Sequence, residues 1–467
     1  MACTKALSEY EIRRSETSRE NFESSHLPNS MASEDGPSFR RLLTDSLDIL
    51  VAPTRNHLQD AWTEDPDFFA KFFPVDNIIR ERFTAARKGL HSRKRWIGIP
   101  SNPPAVSRLY TPLNNLVNIL LDQFGLLDDH QGNRRLSLNT SKGIQGRIRY
   151  RIRPSLLISG SGRHFLNFWE SGPDRHYASA ISPITIRLES QDDKFSRDCL
   201  SYCVQELLSF HHNRRYVFGV VMSQQTLVVH MFDHSGVTSS PPLDYHSDPE
   251  QFCAIIYGLA SHDVERLGFD TSLSRKGESS WELRTNDVLS RKRRREVKYT
   301  IFAALYYIPY IIGRGTKCFA AADEDGKQYV IKDCWVSVDE LEGKEPEASL
   351  LNHARSCGIS KGIPLIRHSE EVHVRGKAGR GRPDTIFNNR RIMSPDNVTL
   401  ERIHTRLVLF PYGKPLEQFS NRRELLLAYH DALQGQFVVN QCMGSVSHGQ
   451  LSTSYPALSC RDSSSGH

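Results

Sequence analysis

Four residues between positions 313 and 347 have the types and spacing to handle a phosphorylated ligand. Gly313 and Gly315 follow an apolar run, Lys332 ends an alternating apolar stretch, and Glu347 heads a helical pattern. Glycines free backbone N–H groups to close over phosphate oxygens. A lysine ammonium neutralises the charge of those oxygens, and a glutamate ion-paired to the lysine fixes its position. Each residue also has a plainer reading. Gly-x-Gly is common in turns, and here Cys318 stands where a third glycine would be. A lysine after two β-branched residues is usually a solvated strand end, and a glutamate at a helix start complements the helix dipole. The order and spacing of all four favour the phosphate reading.

The elements that must position these groups can be read nearby. A turn at Asp325-Gly326 between two apolar stretches, the second ending in Val330-Ile331-Lys332, describes a β-hairpin. Leu350, Leu351 and Ala354 fall on one helical face, with Glu347 a turn before them. Arg406 to Leu409 reads as a further strand, leading into Phe410, Pro411 and Tyr412. From Glu424 to Phe437, Leu425, Leu426, Tyr429, Leu433 and Phe437 recur at helical spacing.

Three stretches resemble the fungal-type protein kinase family. They are the Gly-Arg-Gly-Thr of residues 313–316, the Tyr-Val-Ile-Lys-Asp of 329–333, and the Leu-Val-Leu-Phe-Pro-Tyr-Gly-Lys-Pro-Leu of 407–416. The resemblance extends upstream to Tyr216–Gly219, to Phe232–Val237, to Asp248–Phe252 and to Leu267–Asp270. It implies an ATP site in a protein-kinase small lobe. Ile312, Gly313 and Gly315 would cover the nucleotide, Lys332 would meet its α/β-phosphates, and Glu347 would hold Lys332. A carbonyl of Phe410 and an N–H of Tyr412 would take the adenine, and Pro411 removes a donor that the ligand does not use.

The resemblance also implies a catalytic loop, and there the residues depart from the pattern. His448 aligns with the loop histidine, but Gln450 stands at the aspartate that accepts the substrate proton and Tyr455 at the asparagine that holds Mg2+. No Asp-Phe-Gly follows in this sequence. A neutral amide cannot take a proton, and loss of a positioned base costs on the order of 10²- to 10⁴-fold in rate. The expectation is a catalytically defective, ATP-binding kinase-like chain with a truncated large lobe and no retained Mg2+ ligands. One rival is an active Ser/Thr kinase in a full-length form. Another is a scaffold that binds protein or nucleic acid without nucleotide chemistry.

Composition sets the remaining bounds. In 467 residues, 38% hydrophobic and 24% charged, there is material for two or three domains of a soluble globular protein. A net charge of +6 is too mild to argue for nucleic acid. Nine cysteines with no Cys-x-x-Cys pair fit a reducing compartment, and Cys199 and Cys203, a helical turn apart, read as core. The polar first twenty residues lack a secretory signal, and Pro309 interrupts the most apolar run, Ile301 to Ile312. An intracellular protein, cytoplasmic or nuclear and without a membrane span, is expected.

The fold class expected is α+β, in six parts. Residues 1–37 read as a disordered arm and 38–130 as a helical segment, with Gly125 capping a helix from Tyr110 to Phe124. Residues 131–271 read as an upstream α/β domain with one helix from Asp198 to Phe210, and 272–298 as a basic linker carrying Arg291 to Arg295. Residues 299–415 form the small lobe and hinge, and 416–467 an incomplete large lobe. The upstream domain invites comparison with two-carboxylate nucleases, but Ser155 replaces one metal-binding aspartate and Glu189-Ser190-Gln191 lacks the lysine, so an interaction domain is expected instead. The basic linker could serve nuclear import or touch phosphate. The glycine-rich basic patch Arg375 to Arg382 reads as a surface loop, without the aromatics that stack bases. The apolar face of the 424–437 helix would call for a protein partner.

Overall fold

Two sheets, one covered by helices on both faces and one antiparallel throughout, carry the fold in this computed structural model. It describes residues 51–87, 89–127, 133–138, 154–165, 175–276, 280–287, 295–308, 310–338, 347–356, 358, 362–374, 381–392, 400–414 and 418–442. Residues 53–467 form one compact unit; of the other, 1–52, only 51 and 52 are described. The arm, the apolar periodicity before residue 50, Arg291 to Arg294, residues 375–380 of the basic patch, His448, Gln450 and Tyr455 lie outside the described residues.

The first sheet begins with β1 (Trp62–Glu64) and continues, after α1 (Phe68–Phe72), α2 (Asn77–Ala86), the small hairpin β2 (His91–Ser92) and β3 (Arg95–Trp96), and α3 (Ser107–Gln123), with β4 (Arg134–Leu138) and β5 (Leu156–Gly160). Next come α4 (Arg175–Ala178), β6 (Ala180–Ile186), α5 (Asp193–Phe210), β7 (Tyr216–Met222), β8 (Thr226–Asp233), β9 (Gly236–Ser239), β10 (Leu243–Asp244) and α6 (Pro249–Leu259). The strand order is β1-β9-β8-β7-β6-β5-β4, with β10 beside β8. The β6-α5-β7 crossover joins parallel neighbours.

Every residue of β7 is buried, as a strand covered on both faces requires. Phe218, Val220 and Met222 face a core built with α1, α2, α3 and α6. Val217 and Val221 face Leu200, Val204 and Leu207 of α5 on the other side. The helices of 68–123 therefore share one apolar core with the strands of 134–239. α3 ends where Gly125, at φ 67°, lets its own N–H reach Asp122 O and that of Leu126 reach Leu121 O. α5 starts five residues before the expected Asp198, because the Asp192 side chain caps it by accepting from Lys194 N.

The second sheet comprises β11 (Leu273–Lys276), β12 (Ser280–Asp287), β13 (Arg295–Tyr307), β14 (Lys317–Ala322), β15 (Gln328–Ser337), β16 (Leu365–Glu371) and β19 (Arg402–Phe410), in the order β11-β12-β13-β14-β15-β19-β16. Around it lie α7 (Glu347–Ser356), the short pair β17 (His373–Val374) and β18 (Arg382–Pro383), α8 (Ile386–Arg390) and α9 (Arg422–Cys442). The linker expected over 272–298 is instead largely strand. Leu273, Trp281 and Leu283 alternate with polar residues and bury one face of β11 and β12, which carries the ladder on from β13. In α7, Ala354 is buried while Leu350 and Leu351 are half-buried. On α9, Leu426 and Leu433 are each 68% exposed. Among the described residues no helix is long and apolar enough to cross a membrane.

Candidate nucleotide site

Alternation along β15 decides which side chains reach the site. Tyr329, Ile331, Asp333 and Trp335 are buried, whereas Lys332 projects from the opposite face. There its ammonium meets the Glu347 carboxylate at 2.8 and 2.9 Å. The pair is partly open, with side-chain exposures of 13% and 30%. Glu347 opens α7, where its charge also suits the helix N-terminus. Arg314, between the two loop glycines, brings its guanidinium to 4.0 Å from the same carboxylate. The sequence gives Arg314 as part of the Gly-Arg-Gly-Thr stretch but assigns it no role, so its place beside Glu347 comes from the structure.

The glycine segment lies in the loop joining β13 to β14. Tyr307 pairs with Lys317, and Ile308 N–H donates to Thr316 O at 3.0 Å. Gly313 and Gly315 have φ of 120° and 48°, and a Cβ on Gly315 would overlap the His234 imidazole. Ile312 is half-buried, and its carbonyl accepts from His57 Nε2 at 2.9 Å. Gly313 N–H donates to His234 O at 3.0 Å, and Trp335 N–H to Arg314 O at 2.7 Å.

The expected hinge follows β19. Lys332 stands opposite Leu407, so Phe410 and Tyr412 lie three and five residues further along the neighbouring strand. Phe410 packs on the ring of Tyr329, and Lys327 sits over its face at 4.1 Å. Tyr412 meets Phe302 edge-on. Lys332, Glu347 and Arg314 are thus brought together on one face of the second sheet, while the N–H of Gly313 is spent on the first-sheet region.

Behind Lys332, the buried face of β15 meets the first-sheet region through charges. Arg406 holds Asp333 at 2.8 Å and Asp270 at 2.9 Å, with Glu370 at 3.3 Å. Burial pushes the Asp333 carboxyl up, but Arg406 and His404 outweigh it and hold the group well below the usual carboxylate range. His404 lies 2.9 Å from Asp384 and 3.6 Å from Asp333. Burial pulls its imidazole down, yet those two carboxylates hold it up at about 9. Its ring stacks on Trp335 at 4.9 Å, the planes 7° apart. Arg215 joins Asp384 to Asn389, and Arg390 grips Asp233 at 2.7 and 2.8 Å. Between the layers a small polar cavity is lined by His212, Asn213, Lys317, Asp270, Asp333 and His404, among others. Burial brings the Lys317 ammonium down to about 8, and it donates to His212 O at 2.7 Å. Sequence reasoning missed this network. The one signal was Asp333 itself, a charge on the apolar face of an alternating strand.

The positions compared with a nuclease do other work. Ser155 Oγ accepts from Ile186 N–H at 3.1 Å, and the Glu189 carboxylate accepts from the hydroxyls of Ser223 and Thr226. Among the described residues, no three His, Cys, Asp or Glu side chains are arranged to hold a metal. Cys203 is buried and Cys199 partly so, and burial raises both thiols, Cys199 to about 12.

No curated protein and no solved structure matches the chain. The model of the family described as fungal protein kinase matches residues 170–444, which run from the first sheet's α4 through α9 and take in the whole of the Lys332–Glu347 site. That stretch is more than half of the sequence, and the chain belongs to the fungal protein kinase family.

Proposed function

We propose that the open face of β15 is the nucleotide site of a kinase-like small lobe and that it takes ATP. The observation that carries this reading is the ion pair of Lys332 with Glu347 at 2.8 Å, formed next to a Gly-x-Gly loop whose arginine adds a second cation. A lysine so fixed is placed to meet α- and β-phosphate oxygens, and Arg314 can follow the charge when phosphate displaces Glu347 as its nearest anion. Ile312, Gly313 and Gly315 would cover the nucleotide, with Phe410 and Tyr412 receiving the adenine at the end of β19. Gln450 and Tyr455 favour a chain that binds ATP without transferring phosphate through that loop, since neither side chain can replace the carboxylate base or the metal-binding amide. The experiment is titration of the whole chain with a fluorescent ATP analogue. Saturable binding that Lys332→Met weakens is expected; an unmutated chain that binds no analogue would reject the reading.

A further inference from the structure

The loop that should close over phosphate is held by the first-sheet region at both of its ends and in its middle. Before the glycines, Ile311 is fully buried among Leu200, Val217, Phe232 and Val237, residues of the first sheet and α5. After them, Lys317 inserts its ammonium between the carbonyls of His212 and Arg214. Between these anchors sits the two-residue turn that joins β8 to β9. Its His234 donates from Nδ1 to Ile311 O at 3.0 Å, accepts Gly313 N–H on its own carbonyl, and lays its ring against Gly315.

The turn itself is stiff. Asp233 accepts from Ser235 N–H at 2.8 Å and is gripped by Arg390, and Gly236 sits too close to Ala61 O to carry a side chain. An N–H already satisfied by a protein carbonyl must break that bond before it can serve a phosphate oxygen.

We infer that the His234 turn is an autoinhibitory latch on the glycine loop, so that the phosphates of a bound nucleotide gain the Gly313 N–H only when the loop leaves the first-sheet region. This rests on the nucleotide-site reading above and adds its regulation. A ligand gains from a shift only to the extent that it prefers one state, and ATP prefers the released loop while adenosine, without phosphate, is indifferent.

The test compares the affinities of the whole chain for ATP and for adenosine with those of His234→Ala, which removes the ring and its bond to Ile311. Ile311→Ala, which shortens the apolar anchor without touching the turn, is the second variant. In whichever variant keeps the native near-ultraviolet dichroism, ATP should bind about fivefold tighter or better, while the adenosine affinity moves less than about twofold. If adenosine binding persists and ATP binds no more tightly to the variants, the latch is rejected while the site stands. If the unmutated chain and the variants bind neither ligand, the site reading falls and the latch with it.

Discussion

Adjacent residues of β15 make two ion pairs of opposite character. Lys332 meets Glu347 on the open face of the sheet, and Asp333 meets Arg406 on the closed one, where the arginine side chain is 1% exposed. The open pair keeps some contact with water and so costs less to hold or to loosen than a fully buried one. The closed pair has given up its hydration and recovers it only through a full set of partners: Asp333, Asp270 and Glu370 around one guanidinium. One strand thus separates a pair open to solvent from a pair committed to joining the two sheets.

The most severe way to break that contrast is Arg406→Met. Three carboxylates would stay buried without their cation, and unfolding free energy measured with denaturant should fall by about 3 to 5 kcal/mol. Adding Asp333→Leu should recover part of the loss.

His404 offers a milder perturbation through pH. Its folded value of about 9 lies above the ordinary 6.5, so its stabilisation is complete below pH 6.5 and is lost as pH rises through 9. Lys317, held at about 8 instead of 10.5, works the other way and adds stability only from pH 8 upward. Between pH 6.5 and 8 His404 itself should therefore withdraw about 2 kcal/mol, read as the narrowing stability difference between the unmutated chain and His404→Gln, in which the other histidines cancel. Burial keeps His211, His212, His230 and His234 at about 3, neutral in the fold, so stability should also fall as pH drops below 6.5.

Lys332→Met should sharpen the comparison from the other side. Its effect on unfolding should stay within about 1 kcal/mol, while the affinity for an ATP analogue should fall about tenfold or more. Smallest of all, Leu426→Gln and Leu433→Gln on the exposed face of α9 should change stability by less than about 0.5 kcal/mol. A larger loss on denaturation would show that this face is covered.

What the sequence made legible divides along the same line. The all-apolar β7, the periodic α3 and the Lys332 to Glu347 spacing depend on patterns within a few tens of residues, and local periodicity carries them. The closed-face network draws on Arg215, Asp233, Asp270, Asp333, Asp384, Arg390, His404 and Arg406, scattered over nearly two hundred positions. Apart from Asp333, which interrupts the apolar face of its strand, each looks like an ordinary surface charge until the two sheets meet. The segment over 272–298 failed for a related reason. Its strands carry polar residues at alternate positions, and Ser280, Glu282 and Arg284 flanking Trp281 and Leu283 look like linker composition unless the alternation is weighed first. The His234 latch left no trace, because a histidine in a two-residue turn looks the same whether or not a loop rests on it.

The near-parallel stack of Trp335 on His404 gives β15 a signal of its own. A protonated imidazole in face contact with an indole accepts its excited electron, so Trp335 should emit weakly while His404 keeps its proton and brighten when the proton leaves. The joint between the two sheets therefore carries an optical indicator in Trp335, whose share of the intrinsic emission should rise when His404 loses its proton.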